Sequence, residues 1–354
     1  MNSPRLARTK HLSAANVAGV SVAVVIVNYR TPELTGTCLS SLAAERAILP
    51  KLKVVVVDGG SADGSAEKLA RTVTKPEFAG WVSFLPLELN GGFGWANNQA
   101  ILALARAPAA PDFVHLLNPD AEITSGAVAL LVEALVNDPR CGAAGSQLVD
   151  EHGAPAASAF RFPSAAREFV DAAQSASLGR VLGIAPAVID ASSSCEVDWV
   201  TGASVMVRSA ALRETGLFDD GFFLYFEEVE LMHRLRARGW TVRHVPESRV
   251  IHREGSSTGI ADARELPSYW YESRRRYFAL TGGRFAALAA DLGSLAGIAT
   301  SKAKLLMGRR GGRRAPRGRD LLRLGVSASA AAPSPSVPAW GDPPGKPPAW
   351  MSRP

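Results

Sequence analysis

Between Ser21 and Gln147 the chain alternates short β-branched runs with longer helical patterns, and that alternation decides most of what it can fold into. VAVVIV (22–27) precedes a stretch with Leu39 and Leu42 on one side, and VVVV (54–57) precedes Ser65 to Val73. VSFLPL (82–87) precedes an Ala/Leu pattern from Trp95 to Leu104, and FVHLL (113–117) precedes Val128, Leu131 and Leu135 at helical spacing. A strand apolar at every position has to be covered on both faces, and strands separated by helices pair in parallel through crossovers. The expected fold is α/β: a mostly parallel sheet with helices on both faces, then C-terminal helices and a disordered tail. In open sheets of this kind ligands bind beyond the carboxyl ends of the strands. The residues directly after each run are therefore where chemistry is expected.

Those residues are polar and specific. The first run ends in Asn28-Tyr29-Arg30, the second in Asp58-Gly59-Gly60-Ser61, the third in Asn90-Gly91-Gly92-Phe93-Gly94, and the fourth in Asn118-Pro119-Asp120. Asp63 or Ser65 serves equally well as a helix cap. Asp58 instead faces the ligand crevice, where a carboxylate suits a base N–H or a ribose hydroxyl. Pro119 imposes an extended turn that presents Asp120, a hard oxygen ligand suited to Mg²⁺ or Mn²⁺. The Asn90-Gly91-Gly92 turn admits close backbone approach to phosphate or sugar hydroxyls, without the G-x-G-x-x-G dinucleotide spacing. Residues 222–226 gather aromatics before Glu227, Glu228 and Glu230, and the same helix ends in Arg234, Arg236 and Arg238. Charges in this order complement a helix dipole. An apolar wall beside a carboxylate also raises its pKa and makes a usable general base; Glu228 is favoured and Glu227 is the alternative. His252, which ends the run RVIH, reads as a structural histidine or a ligand. Arg274, Arg275 and Arg276 read as a solvated helix face, or as neutralising charges.

Charge divides the chain of 354 residues unevenly. Its net +6 comes from residues 301–354, which hold eleven basic and two acidic side chains, and the rest is −3. A body without a basic groove argues against nucleic acid as a partner. The segment 302–323 mixes basic and apolar residues, as a patch lying on an anionic membrane surface does. Three scattered cysteines, Cys38, Cys141 and Cys195, make neither a disulfide framework nor a zinc site, which fits a reducing cytoplasm. The apolar run from Val17 to Val27 lacks a cleavage site and leads straight into Asn28, so it reads as a buried strand rather than a signal peptide. Residues 1–20 form a flexible arm, and 150–195 an irregular excursion shaping an acceptor site. Tyr269 to Leu280 and Phe285 to Met307 read as helices. The Pro/Ala/Ser-rich stretch 327–354 is expected to be disordered.

Seven stretches, in order, resemble the family-2 inverting glycosyltransferases of GT-A fold, and most of all their rhamnosyltransferase-type branch. They are VAVVIVNYR, VVVVDGGSADGS, LNGGFGWANNQ, LLNPDAEI, WVTGASVMVR, GLFDDGFFLYFEEVELMHRL and RVIHREGSST. The resemblance implies a transferase domain over 21–282, with a nucleotide-sugar half (21–147) and an acceptor half (148–282), then a helical, basic membrane-surface segment (283–326). It implies a nucleotide-diphospho-sugar donor, dTDP-L-rhamnose first, with UDP-galactofuranose, UDP-N-acetylglucosamine or UDP-glucose as alternatives. It further implies a divalent metal, transfer with inversion, and a polyprenyl-linked or glycan acceptor in envelope synthesis at the inner face of the cell membrane. Carried over by position, Asn28, Asp58, Asn90, Gly91, Gly92 and Asn118 line the donor site. Asp120 and His252 hold the metal, and Glu228 deprotonates the acceptor. Two departures stand out: Asp58-Gly59 where the family has Asp-Asn, and Glu227-Glu228-x-Glu230 where it has Glu-Asp-x-Asp. An inactive glycosyltransferase-like scaffold is the rival reading. A sugar-nucleotide nucleotidyltransferase would need a glycine-rich basic loop after the first strand, and Asn28-Tyr29-Arg30-Thr31-Pro32 is not one.

Overall fold

The computed structural model describes residues 17, 19–253, 266–306 and 334–352. The first half builds the expected alternation. In order come β1 (Val22–Asn28), α1 (Pro32–Ser41), α2 (Glu45–Ile48), β2 (Lys53–Asp58), α3 (Ser65–Val73), β3 (Val82–Pro86), α4 (Phe93–Ala105) and β4 (Phe113–Leu117). The short β5 (Ala121–Ile123), α5 (Ala127–Asn137) and β6 (Cys141–Val149) follow. Beyond them lie β7 (Ala159–Phe160), α6 (Ala165–Ala172), α7 (Ala176–Val181), β8 (Cys195–Val197), β9 (Trp199–Val200) and β10 (Ser204–Arg208). The chain continues through α8 (Ser209–Thr215), α9 (Glu227–Ala237), β11 (Thr241–His252) and α10 (Ser268–Leu306).

The continuous apolar strands follow from two cores, one on each face of the sheet. Val22, Val24 and Ile26 of β1 enter one core with Leu39, Leu69 and Leu131. Val25 of β1, with Val55 and Val57 of β2, enters the other with Ile101, Leu212 and Leu235. Each fully buried Val, Ile or Leu stabilises the fold by roughly 1.5–3 kcal/mol over its exposed state, so neither face of these strands tolerates polar residues.

The sheet runs β3-β2-β1-β4-β10-β6-β11-β5, with β8 pairing β11. Pairing is parallel across β3, β2, β1 and β4. β10 inserts antiparallel between β4 and β6. β11 lies parallel to β6 and antiparallel to β5. That last pairing brings His252, at the far end of the domain, beside Ala121.

Three regions depart from the sequence reading. The excursion 150–195 holds two short helices, α6 and α7, rather than irregular chain throughout. Each is opened by a serine, with Ser164 accepting from the Arg167 amide and Ser175 from the Leu178 amide, so serine caps set helices into a stretch that read as irregular.

Arg274, Arg275 and Arg276 are neither a solvated face nor loose cations. Arg274 is buried and pairs with Glu168 and Asp291, Arg275 pairs with Asp291, and Arg276 pairs with Asp219. Through Glu168 and Asp219, Arg274 and Arg276 fasten α10 to the body, while the Asp291 pairs join the two halves of α10. Helix α10 breaks at Gly283 (φ 73°, ψ 179°), which divides it much as its two apolar patterns imply.

The third departure is the tail. Residues 334–352 of the stretch expected to be disordered lie against α4 and the segment before α9. Composition counted prolines and alanines and passed over Trp340 and Trp350. Trp340 packs against the second core, while Trp350 meets Phe223 at 5.3 Å between ring centroids. A proline-rich chain also loses little entropy on being fixed. Most of the arm 1–20, together with residues 307–323 of the basic segment, lies outside the described residues.

Candidate active site

The carboxyl ends of β1 and β2 are joined side by side. Asn28 and Asp58 sit opposite each other in the register, and the Asn28 amide donates to Asp58 Oδ1 at 2.7 Å. The other side of the Asn28 amide accepts from the Thr31 backbone and the Thr35 hydroxyl. Asp58 also accepts from the Ser61 hydroxyl at 2.7 Å and the Ser61 amide at 3.1 Å. Both side chains are buried and hold the Gly59–Ser61 turn in place. Gly59 and Tyr29, rather than Asn28 and Asp58 themselves, reach the wall of a cavity of about 550 Å³.

The same cavity takes in the glycine-rich turn. Asn90 and Gly92 lie on its wall, and the Asn90 side chain accepts from the Gly92 amide at 3.0 Å. Gly92 adopts φ +87°, and a Cβ there would collide with the Phe223 carbonyl, so only glycine fits. Gly91 packs against the Trp95 ring, behind the wall. The Phe93 amide donates to the Phe223 carbonyl at 3.1 Å, tying this turn to the aromatic segment.

Asn118, Pro119 and Asp120 line the cavity together with His252. The Asp120 carboxylate is buried, and its Oδ1 lies 3.2 Å from His252 Nε2. His252 Nε2 is also 3.3 Å from the Asn118 side-chain nitrogen. Residues 132 positions apart thus meet because β5 pairs with β11. Among the described residues no group of three or more His, Cys, Asp and Glu side chains is arranged to hold a metal. Asp120 and His252 are a two-ligand set, hard oxygen plus imidazole. That set would suit a divalent ion such as Mg²⁺ or Mn²⁺.

Glu227 and Glu228 begin α9 and both line the cavity. Tyr225 and Phe226 ahead of them take left-handed backbone angles (φ 69° and 68°), a strained pair for residues with side chains. Burial pushes Glu227 well above the usual carboxylate range, and the charge of Glu228 adds to it. Burial raises Glu228 too, but backbone amides, Gly202's among them, hold its ionised form and offset the rise. One oxygen of each, Oε2, has no hydrogen-bond partner among the described residues. Glu230 plays a different part: it pairs with Arg234 at 2.7 Å within the same helix.

Of the residues singled out in the sequence, Asn90, Gly92, Asn118, Asp120, Glu227, Glu228 and His252 thus meet on one cavity, and Asn28, Asp58 and Gly91 stand behind it. Thr201, Gly202 and Tyr269 also line it. The signal for the first two was present in T-G-A, three small residues interrupting two apolar runs. Tyr269 opens a helix and carries no such mark.

The profile of the family described as "Glycosyltransferase like family 2" matches residues 18–276. An N-acetylglucosaminyl-diphospho-decaprenol L-rhamnosyltransferase of Mycobacterium tuberculosis is 31% identical over 243 residues, covering 65% of this chain and 74% of the relative. Rhamnosyltransferase WbbL of Escherichia coli is 35% identical over 60 residues, 17% of this chain and 23% of that one. Among solved structures, the Pyrobaculum calidifontis mannosyltransferase PcManGT, in complex with GDP-Man and Mn²⁺, superposes with a TM-score of 0.51. It is 18% identical and covers 87% of this chain and 80% of its own, a likeness of fold.

Proposed function

The chain belongs to glycosyltransferase like family 2, and we propose that it transfers L-rhamnose from dTDP-L-rhamnose to a hydroxyl of a lipid-linked N-acetylglucosaminyl acceptor, with inversion. The observation that carries this reading is the meeting of Asp120 and His252 with Glu227 and Glu228 on one cavity. The choice of sugar and acceptor rests on the mycobacterial relative, whose name states both the rhamnosyl transfer and the diphospho-decaprenol carrier.

In this reading Asp58 and Asn28 fix the turn against which the nucleoside lies, and Asn90 and Gly92 offer the amide and backbone edge that hold phosphate or sugar. Asp120 and His252 would hold a divalent ion. When bound, such an ion supplies charge neutralisation on the departing diphosphate.

Inversion is a single in-line displacement and requires one base on the acceptor side. Glu228 is that base: its carboxylate accepts the hydroxyl proton and is kept ionisable by the amides around it. Glu227 beside it is raised by burial and further by the charge of Glu228, so it is the weaker acid of the two and Glu228 the one that ionises first.

The acceptor's lipid implies work at a membrane surface. No described helix is long and apolar enough to cross a membrane. Phe285, Leu288 and Leu292, spaced along one face of α10, are 72%, 51% and 58% exposed and suit contact with lipid. Introducing aspartate at Leu288 and Leu292 is expected to weaken co-sedimentation with anionic vesicles.

The test of the function is a transfer assay with N-acetylglucosaminyl-diphospho-polyprenol and a panel of dTDP-L-rhamnose, UDP-galactofuranose, UDP-N-acetylglucosamine and UDP-glucose. Rhamnosyl product alone is expected. Product from a UDP-sugar instead would replace the donor assignment.

A further inference from the structure

We propose that residues 334–352 are a positioning strap for the acidic pair. They touch no part of the chemistry directly, yet they hold the segment that delivers Glu227 and Glu228 to the cavity. The inference deepens the transferase reading above and rests on it.

The segment between α8 and α9, residues 216–226, has no secondary structure of its own and ends in the strained pair Tyr225 and Phe226. Consecutive left-handed residues with side chains are strained and persist only where their surroundings hold them. Part of that hold comes from within the domain. Arg234 of α9 donates to the Leu217 carbonyl at 2.6 Å, and Phe93 donates to the Phe223 carbonyl. Asn98 bonds Phe218 and Asp220 as well, and the Ser273 hydroxyl donates to the Leu224 carbonyl. The strap adds a further set of contacts.

The strap grips this segment along its length. The Leu217 amide donates to the Pro338 carbonyl at 2.9 Å, and the Asp220 amide to the Ser336 carbonyl at 2.8 Å. The Ser336 amide donates to Asp219 Oδ1 at 3.2 Å. Arg276, already paired with Asp219, donates to the Ser334 carbonyl at 3.0 Å. Asp219, fully buried, thus joins segment, helix α10 and strap at one point.

The strap then crosses to α4. Trp340 lies under the Arg213 guanidinium at 4.8 Å, Gln99 accepts from the Gly345 amide, and Trp95 Nε1 donates to the Lys346 carbonyl at 2.8 Å. It finishes with the Trp350 ring against Phe223, edge-on at 85°. Phe223 also packs on Tyr269 at 5.3 Å, and both line the cavity. Trp350 does not. Its reach into the site is through Phe223, which makes it a positioning residue.

Loss of the strap's grip should therefore loosen residues 216–226 and misplace Glu228, while the nucleoside edge at Asn28, Asp58 and Gly59 keeps its own hydrogen bonds. The experiment compares full-length wild type with Trp350→Ala, Trp350→Phe and Trp340→Ala. Each is measured for rhamnosyl transfer, for dTDP affinity, and for amide hydrogen exchange over 216–226 and 54–65.

We expect both alanine variants to lower kcat at least ten-fold with the dTDP Kd within two-fold, and Trp350→Phe to keep most of the rate. Exchange should rise in 216–226 and stay unchanged in 54–65. Unchanged exchange in 216–226 overturns the strap whether or not transfer is found, so its failure is separable from failure of the rhamnosyl assignment. A kcat within two-fold of wild type despite faster exchange overturns the positioning role. Equal loss of dTDP affinity overturns it too, in favour of general stabilisation.

Discussion

In the proposed mechanism, replacing Glu228 by glutamine removes the base and almost nothing else. The amide keeps the volume and keeps an oxygen to accept from the Gly202 backbone, so the fold and the cavity shape are retained. A positioned general base contributes about 10²–10⁴ in rate, which is roughly 2.7–5.4 kcal/mol of barrier at 1.36 kcal/mol per ten-fold. Glu228→Gln should therefore lose that factor in kcat with little change in donor KM.

Glu227→Gln is the informative partner. Burial and its charged neighbour raise Glu227 well above the ordinary carboxylate range, so a neutral amide imitates the protonated form they favour, and the loss should stay below about ten-fold. The pH profile carries the same signature. Glu228 must be ionised to work and its pKa is raised, so activity falls as pH drops through a value above the ordinary 4.5. Both variants are read by steady-state transfer across pH. If Glu227→Gln is the dead one and Glu228→Gln retains turnover, the assignment of the two carboxylates is reversed.

Further expectations follow from other parts of the site and its supports. Wild type should be stabilised by nucleotide with Mn²⁺ by about 2.7 kcal/mol at a hundred times Kd, and Asp120→Asn should lose the part that depends on the ion. An ion-dependent thermal shift that survives in Asp120→Asn would remove Asp120 from the metal site. Arg274→Met breaks a buried pair with Glu168 and Asp291 and should cost about 3–5 kcal/mol in a denaturant titration; a cost under about 0.5 kcal/mol contradicts the fastening role. Burial lifts Asp220 to about 6, against the hydrogen bond from Asn98. The folded state then holds this proton more tightly than the unfolded chain, so stability falls as pH rises from about 3.8 to about 6 and stays level above. Asp220→Asn should accordingly stabilise at pH 8 by an amount on the order of 1–3 kcal/mol and do little at pH 4; an equal effect at both pH values refutes the linkage.

The half of the sheet built from β1 to β4 was legible because burial on both faces writes itself into consecutive residues. The polar strand ends were legible for the complementary reason: Asn90, Asn118 and Asp120 interrupt apolar runs where a parallel sheet opens its crevice. The insertion of β10 between β4 and β6 was not, since strand order depends on contacts far apart in the chain and leaves no local period. Arg274 to Arg276 looked solvated because their partners lie far along the chain: Glu168 and Asp219 on other parts of the domain, and Asp291 beyond the Gly283 break in the same helix. In the tail, two tryptophans outweigh the proline and alanine around them, and composition averages them away.

The central claim is a single displacement assisted by one carboxylate, and the configuration of the product tests it most directly. Full-length protein, dTDP-L-rhamnose, Mg²⁺ and N-acetylglucosaminyl-diphospho-polyprenol should give one added rhamnosyl group whose anomeric configuration, read by NMR, is opposite to that of the donor. A product of retained configuration would contradict a single displacement with Glu228 as base.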